Sequence, residues 1–123
     1  MDREKGMAYC GLACCLCTFQ PGCRGCKEQG CPGEAWCKIR SCCQDKGLRS
    51  CGDCPSFPCD APLFAKVKVR TFAKMVSEVG EEKMMDLLQK AEERDVIYHY
   101  EGKIVGDYDM LKDEQEVRKL VLG

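Results

Sequence analysis

CGLACCLC at residues 10–17, GCRGC at 22–26 and CKIRSCCQDKGLRSCGDCPSFPC at 37–59 together hold every cysteine of the chain except Cys31. Three Cys-x2-Cys pairs stand out: Cys14 and Cys17, Cys23 and Cys26, Cys51 and Cys54. Two intervening residues let a tight turn aim both sulfurs at one metal ion about 2.3 Å away, with backbone amides turned toward the thiolates. One such pair arises by chance or as a redox site, whereas three in close succession are a strong metal signal. The 13 cysteines make up about 11% of the 123 residues, above the roughly 8–10% that marks a cross-linked or metal-bound scaffold.

Outward from these stretches the composition changes. All cysteines lie between Cys10 and Cys59, and 8 of the 12 glycines and 4 of the 5 prolines fall in the same first half. That is turn composition, in which metal has to replace a missing apolar core. The chain carries 19 Lys+Arg against 20 Asp+Glu, a formal net charge of -1, so no overall basic field recruits nucleic acid. No apolar run is long enough for a membrane span, and the start, MDREKGMAYC, lacks the apolar core of a signal peptide. These features predict a cytoplasmic protein without a membrane partner, whose reduced thiols serve as metal ligands rather than disulfides.

The second half carries ordinary helical signals. A short helix over 39–46 is expected to stop at Gly47. Asp60 and Pro62 are expected to open a helix with Ala65, Val69, Phe72, Val76 and Val79 on its inner face, ended by Gly80. Met84, Leu87, Leu88 and Ala91 form an i, i+3, i+4, i+7 stripe on a second, antiparallel helix over 81–94. Two β-rich runs, 96–100 and 104–108, flank Glu101-Gly102-Lys103 and predict a hairpin with Gly102 supplying positive φ. A last helix over 110–122 would start at Asp109 or Asp113 and bury Met110, Val117, Leu120 and Val121. The expected fold class is α+β: an irregular cysteine-rich metal-binding module over 1–60, packed on a helix-helix-hairpin-helix part over 61–123.

The cysteine stretches resemble the prokaryotic family called domain of unknown function 3795. Its pattern is CGLxCxxC, a further CxxC, CxIRxC, a KG turn and CxxCxxFPC. Order and spacing agree, and so do Gly11, Leu12, Ile39, Arg40, Lys46, Gly47, Phe57 and Pro58. The resemblance implies zinc binding and no assigned activity. It places the metal ligands on Cys10, Cys14, Cys17, Cys23, Cys26, Cys37, Cys42, Cys51, Cys54 and Cys59, with Cys31 counted among them. Cys15 and Cys43 fall outside the pattern. Adjacent cysteines do not easily direct both sulfurs to one tetrahedral ion, which agrees with Cys14 and Cys42 as the ligands of their pairs.

Two zinc ions, or three with the cysteines left over, are the expected cofactors, since most cytoplasmic four-cysteine sites built from CxxC pairs are structural zinc. An iron-sulfur cluster is the alternative. The ferredoxin run C-x2-C-x2-C-x3-C-P is not met, because Gln20, Gln29 and Phe57 stand at the third-cysteine positions, yet Cys31-Pro32 and Cys54-Pro55 keep that option open. A disulfide framework comes third. Cys10-x3-Cys14-x2-Cys17 also has radical S-adenosylmethionine spacing, but the chain lacks the repeated strand-helix units such enzymes need.

The leading functional reading is a structural zinc-binding protein acting as a binding or adaptor module for an unknown protein or small ligand. The competing class is an iron-sulfur or thiol-based redox protein or enzyme, in which a surplus thiolate such as Cys15 or Cys43 reacts. His99, the single histidine, reads as the outer face of a hairpin strand, and Tyr98, Tyr100 and Tyr108 as packing. The basic run Lys66, Lys68, Arg70 and Lys74 reads as a solvated helix face. No catalytic residue is assigned.

Overall fold

A computed structural model of the chain describes residues 3–16, 38–55, 57, 62–101, 103 and 105–123. Helix α1 spans Lys38–Lys46, α2 Val67–Val79, α3 Glu81–Glu93 and α4 Glu114–Leu122, with short 3-10 turns at Cys14–Leu16, Cys51–Asp53, Pro62–Ala65 and Asp107–Met110. The expected α+β class is corrected here: the described residues are helical and contain no strand or sheet.

The missing hairpin has a local cause. The backbone does fold back, with Tyr100 N donating to Val105 O at 2.8 Å and Asp107 N to Ile97 O at 2.7 Å. Those two bonds differ by one residue in register, so they cannot belong to one regular ladder. The opposite bond at Ile97 is taken by a side chain, Asp107 Oδ2, which accepts from Ile97 N at 2.7 Å. Gly106 is pressed onto the carbonyls of Tyr98 and Ile97, and the chain then winds into the Asp107–Met110 turn instead of continuing as a strand. Gly102 and Ile104 lie outside the described residues.

α2 is the central element. Val69 and Ala73, one turn apart, face a buried cluster with Ala8, Cys10, Cys43, Cys51 and Phe64. Phe72, Met75 and Val76 face the other way, into a larger core that takes Met84, Met85 and Leu88 from α3 and Val117 and Val121 from α4. Met7, Ala13, Cys15 and Leu16 enter that same core, so the cysteine-bearing N-terminal segment shares apolar packing with the helices. Tyr98 and Tyr108 complete it against Phe72, at centroid separations of 6.3 and 5.1 Å.

Helix ends follow the sequence closely where a cap residue is present. Gly47 (φ 68) ends α1, with Gly47 N donating to Gln44 O and Leu48 N to Cys43 O, the paired bonds of a Schellman motif. α3 ends in the same way although its left-handed residue is Asp95 (φ 67): Asp95 N donates to Glu92 O and Val96 N to Ala91 O. Asp113 caps α4 by accepting from Glu116 N at 2.8 Å. Arg94 donates to the terminal carbonyls of Leu120 and Val121, where a cation suits the helix dipole.

Three further expectations are corrected. α2 begins at Val67, after an extended Lys66, rather than at residues 60–62. This leaves Ala65 exposed, and Val79, at the far end of the same predicted stripe, is also exposed. Met110 is exposed because it ends the 3-10 turn before α4 starts. The basic run on α2 is not a solvated face. Lys68 is buried, pairs with Asp109 at 2.9 Å and lies 4.6 Å from the Tyr98 ring centroid; Arg70 and Lys74 both pair with Glu114.

Candidate functional site

Three separate stretches bring cysteines onto one side of α2: the loop holding Cys10 and Cys14, the end of α1 with Cys42 and Cys43, and the turn from Cys51 to Cys54. Backbone bonds join them. Cys51 N donates to Tyr9 O at 2.8 Å, which fixes the third stretch on the first, and Leu48 N to Cys43 O closes α1 just before the third stretch begins. Within the first loop, Ala8 N donates to Leu12 O and Gly11 N to Ala8 O, making a tight reversal around Cys10. The Cys51–Asp53 turn is held by Ser50, whose buried hydroxyl accepts from Gly52 N, and by Asp53, which accepts from Ser77 Oγ of α2 at 2.6 Å.

Two glycines set how closely these loops approach the helix. Gly11 follows Cys10 and Gly52 follows Cys51, and both lie against the backbone of the same residue, Ala73. A Cβ on Gly11 would come within 2.6 Å of Ala73 N, and one on Gly52 would overlap the Ala73 carbonyl while sitting 3.0 Å from Ser77 Cβ. Gly11 also has φ +99, a conformation that side chains disfavour. The Cys-Gly pairs are therefore docking points on α2 as well as turn residues.

The cysteines differ sharply in setting. Cys43 Sγ lies 3.3 Å from Cys51 Sγ, and both residues are buried. Cys10 is buried in the same cluster, and Cys14 packs against it half-exposed. Cys42, the neighbour of Cys43, is exposed. On that outer side Lys46 Nζ donates to Cys54 Sγ at 3.4 Å, and this bond, then the charges of Cys42 and Cys54, raise the Lys46 pKa above its ordinary value. Cys15 belongs to the other core, where burial pushes its thiol up to about 11 and keeps it protonated at neutral pH.

Of the eleven ligands expected from the sequence, the described residues include Cys10, Cys14, Cys42, Cys51 and Cys54. Cys17, Cys23, Cys26, Cys31, Cys37 and Cys59 lie outside them. Among the described residues no three His, Cys, Asp or Glu side chains form a group that could hold a metal ion. What is present is a close thiol pair, Cys43 and Cys51, with further cysteines in the same cluster. The His99 ring lies tilted against the Tyr98 ring, centroids 4.6 Å apart, and burial, followed by the charge of Lys68, holds its pKa below the ordinary value. It is in the tyrosine cluster rather than the cysteine cluster.

A cleft of about 240 Å³ opens beside that histidine, lined by Leu16, Glu92, Asp95, Ile97, His99 and their neighbours. It is separate in composition from the cysteine cluster and mixes apolar walls with two acids. Among the described residues no helix is long and apolar enough to cross a membrane.

Sequence reasoning missed the docking role of Gly11 and Gly52 and the contact of Cys43 with Cys51. The recurrence of Cys-Gly at 10–11 and 51–52 is the one signal that could have found the first. Nothing in the spacing distinguishes Cys43 from Cys42, since only the rotation of α1 about its axis decides which faces inward.

Cysteine loops docked on a small helical assembly define a cysteine-rich helical protein. Comparison with known families agrees in part: residues 19–62 match the profile of the family described as protein of unknown function (DUF3795). The match takes in α1 and the Cys51–Cys54 turn, and leaves Cys10, Cys14, Cys15 and Cys17 outside it. No curated protein and no solved structure matches the chain.

Proposed function

We propose that the chain is a structural zinc-binding protein in which thiolate-held zinc fixes the cysteine loops, and that it acts as a binding or adaptor module in a reducing compartment. The observation that carries this reading is the convergence of Cys10, Cys43 and Cys51, from three separate stretches, in one buried cluster on α2. Soft thiolates at this density select zinc or an iron-sulfur cluster over oxygen-loving cations. His99 lies in the tyrosine cluster, and the ligands this reading proposes are all cysteines. Zinc with four thiolates has no open position for water, so it holds structure and does not drive hydrolysis. The cleft beside His99 then offers the concave surface for a protein segment or small ligand.

The redox alternative draws on one contact, Lys46 Nζ against Cys54 Sγ, because a lysine beside a thiol favours the reactive thiolate. The two readings differ in colour and in metal. Protein purified without oxygen in reducing buffer should be colourless and carry zinc by elemental analysis. A brown protein absorbing near ~400 nm with stoichiometric iron would replace the zinc reading with the cluster reading.

A further inference from the structure

We infer that the cleft beside His99 takes a cationic side chain on an apolar stem, a lysine or arginine of a partner protein segment; this rests on the binding-module reading above and names what that surface binds. The cleft holds about 240 Å³, and Leu16, Val96 and Ile97 give it apolar walls while Glu92, Asp95 and His99 line it as well. Ile97 is 46% exposed although its side chain is large and apolar, so covering it with an aliphatic stem is favourable by the area removed from water.

The charge of the cleft is one-sided. Among the described residues no lysine or arginine lines it, and both charged lining groups are acids. They stand at the C-terminal end of α3, Glu92 in its last turn and Asp95 just past the cap at Arg94, where the helix dipole is already negative. The bases nearby are committed. Arg94 donates to the carbonyls of Leu120 and Val121, and Lys68 pairs with Asp109 at 2.9 Å. Burial, then the charge of Lys68, holds the His99 pKa below 6.5, so at neutral pH the imidazole is uncharged and does not repel a cation. The Asp95 carboxylate itself makes no hydrogen bond or ion pair with the described residues. Its φ of 67 is the left-handed position that closes α3, where a glycine serves the fold better than an acid. The carboxylate serves a cation arriving from outside the chain.

The test uses the full chain, isotope-labelled and purified in reducing buffer, with two probes that differ only in the ammonium group: N-acetyl-lysine methylamide and its norleucine counterpart. Nuclear magnetic resonance should show the lysine probe shifting the amides of Leu16 and of residues 92–99. The norleucine probe should bind there about fivefold more weakly, which corresponds to about 1 kcal/mol, the upper end for an exposed ion pair. Added salt should narrow that ratio, because it screens exposed charges. Asp95→Asn keeps the side-chain size and suits the left-handed position. It should melt no lower than the wild type, lose about fivefold in affinity for the lysine probe and leave the norleucine probe unaffected.

Equal affinity of the wild type for the two probes overturns the cationic assignment and leaves the cleft as a binding surface, and so does a lysine-probe affinity that Asp95→Asn does not change. Absence of shifts from either probe overturns the cleft as a binding surface too, so the two failures are distinguishable.

Discussion

Gly52→Ala tests how the cysteine loops are held. The new Cβ would overlap the carbonyl oxygen of Ala73 and approach its carbonyl carbon to 2.9 Å. Ala73 is fully buried in the middle of α2, between the cysteine cluster and the helical core, so the helix backbone cannot give way and the loop must retreat. Overpacking of this kind costs about 1–3 kcal/mol. At roughly 4 °C per kcal/mol for a chain of this size, the melting temperature should fall by about 4–12 °C. Retreat also draws Cys51 from Cys43, so zinc should be released to a competing chelator more readily than from the wild type. Gly47→Ala is the control: a Cβ there meets nothing within 4 Å, and only the left-handed conformation is strained, at about 1–2 kcal/mol. Thermal unfolding of the zinc-loaded proteins in reducing buffer, paired with a chelator competition, reads both effects. Gly52→Ala melting at the wild-type temperature with unchanged zinc release would refute the docking argument.

Other outcomes follow from the same contacts. Asp109→Ala leaves Lys68 buried without its carboxylate and deprives Gly106 N of the acceptor it reaches at 2.7 Å, so denaturant unfolding should show a loss of about 3–5 kcal/mol; Lys68→Met with Asp109→Leu should recover much of it. His99 has a folded pKa below its ordinary 6.5, from burial and then the charge of Lys68, with Asp109 opposing. The unfolded chain therefore binds the proton more readily, and stability should decline as pH falls below about 6.5. Denaturation midpoints at several pH values should show this dependence, and His99→Gln should flatten it. Cys15 should resist alkylation at neutral pH in the folded chain, because its thiol is buried and pushed up to about 11; peptide mapping that finds Cys15 modified as fast as exposed Cys42 would contradict its place in the core.

Local signals in the sequence located most helix ends. Gly47, Gly80 and Asp113 act within a turn of themselves, so their residue types suffice to stop or start α1, α2 and α4. The inner faces of α3 and α4 were legible for the same reason, through Met84, Leu88, Ala91, Val117 and Val121. The hairpin was not. Its β-rich residues are present, but Asp107 bonds Ile97 N through its side chain and Gly106 lets the chain press onto Tyr98, and both effects depend on three-dimensional register rather than on composition. Lys68 misled for a related reason: a lysine in a basic run reads as solvated, and only the approach of Asp109 and Tyr98 from distant positions makes its burial tolerable. At the candidate site, cysteine spacing announced thiol chemistry but could not choose between Cys42 and Cys43, because adjacent residues share every spacing argument.

Native mass spectrometry of the intact chain, purified anaerobically in reducing buffer, bears most directly on whether thiolate-bound zinc organises the cysteine loops. The account predicts a mass above that of the bare polypeptide by at least two zinc ions, displaced by a strong chelator to leave fully reduced cysteines. A mass showing less than one zinc ion per chain, with either an iron-sulfur increment or the loss of hydrogens that marks disulfides, would contradict it.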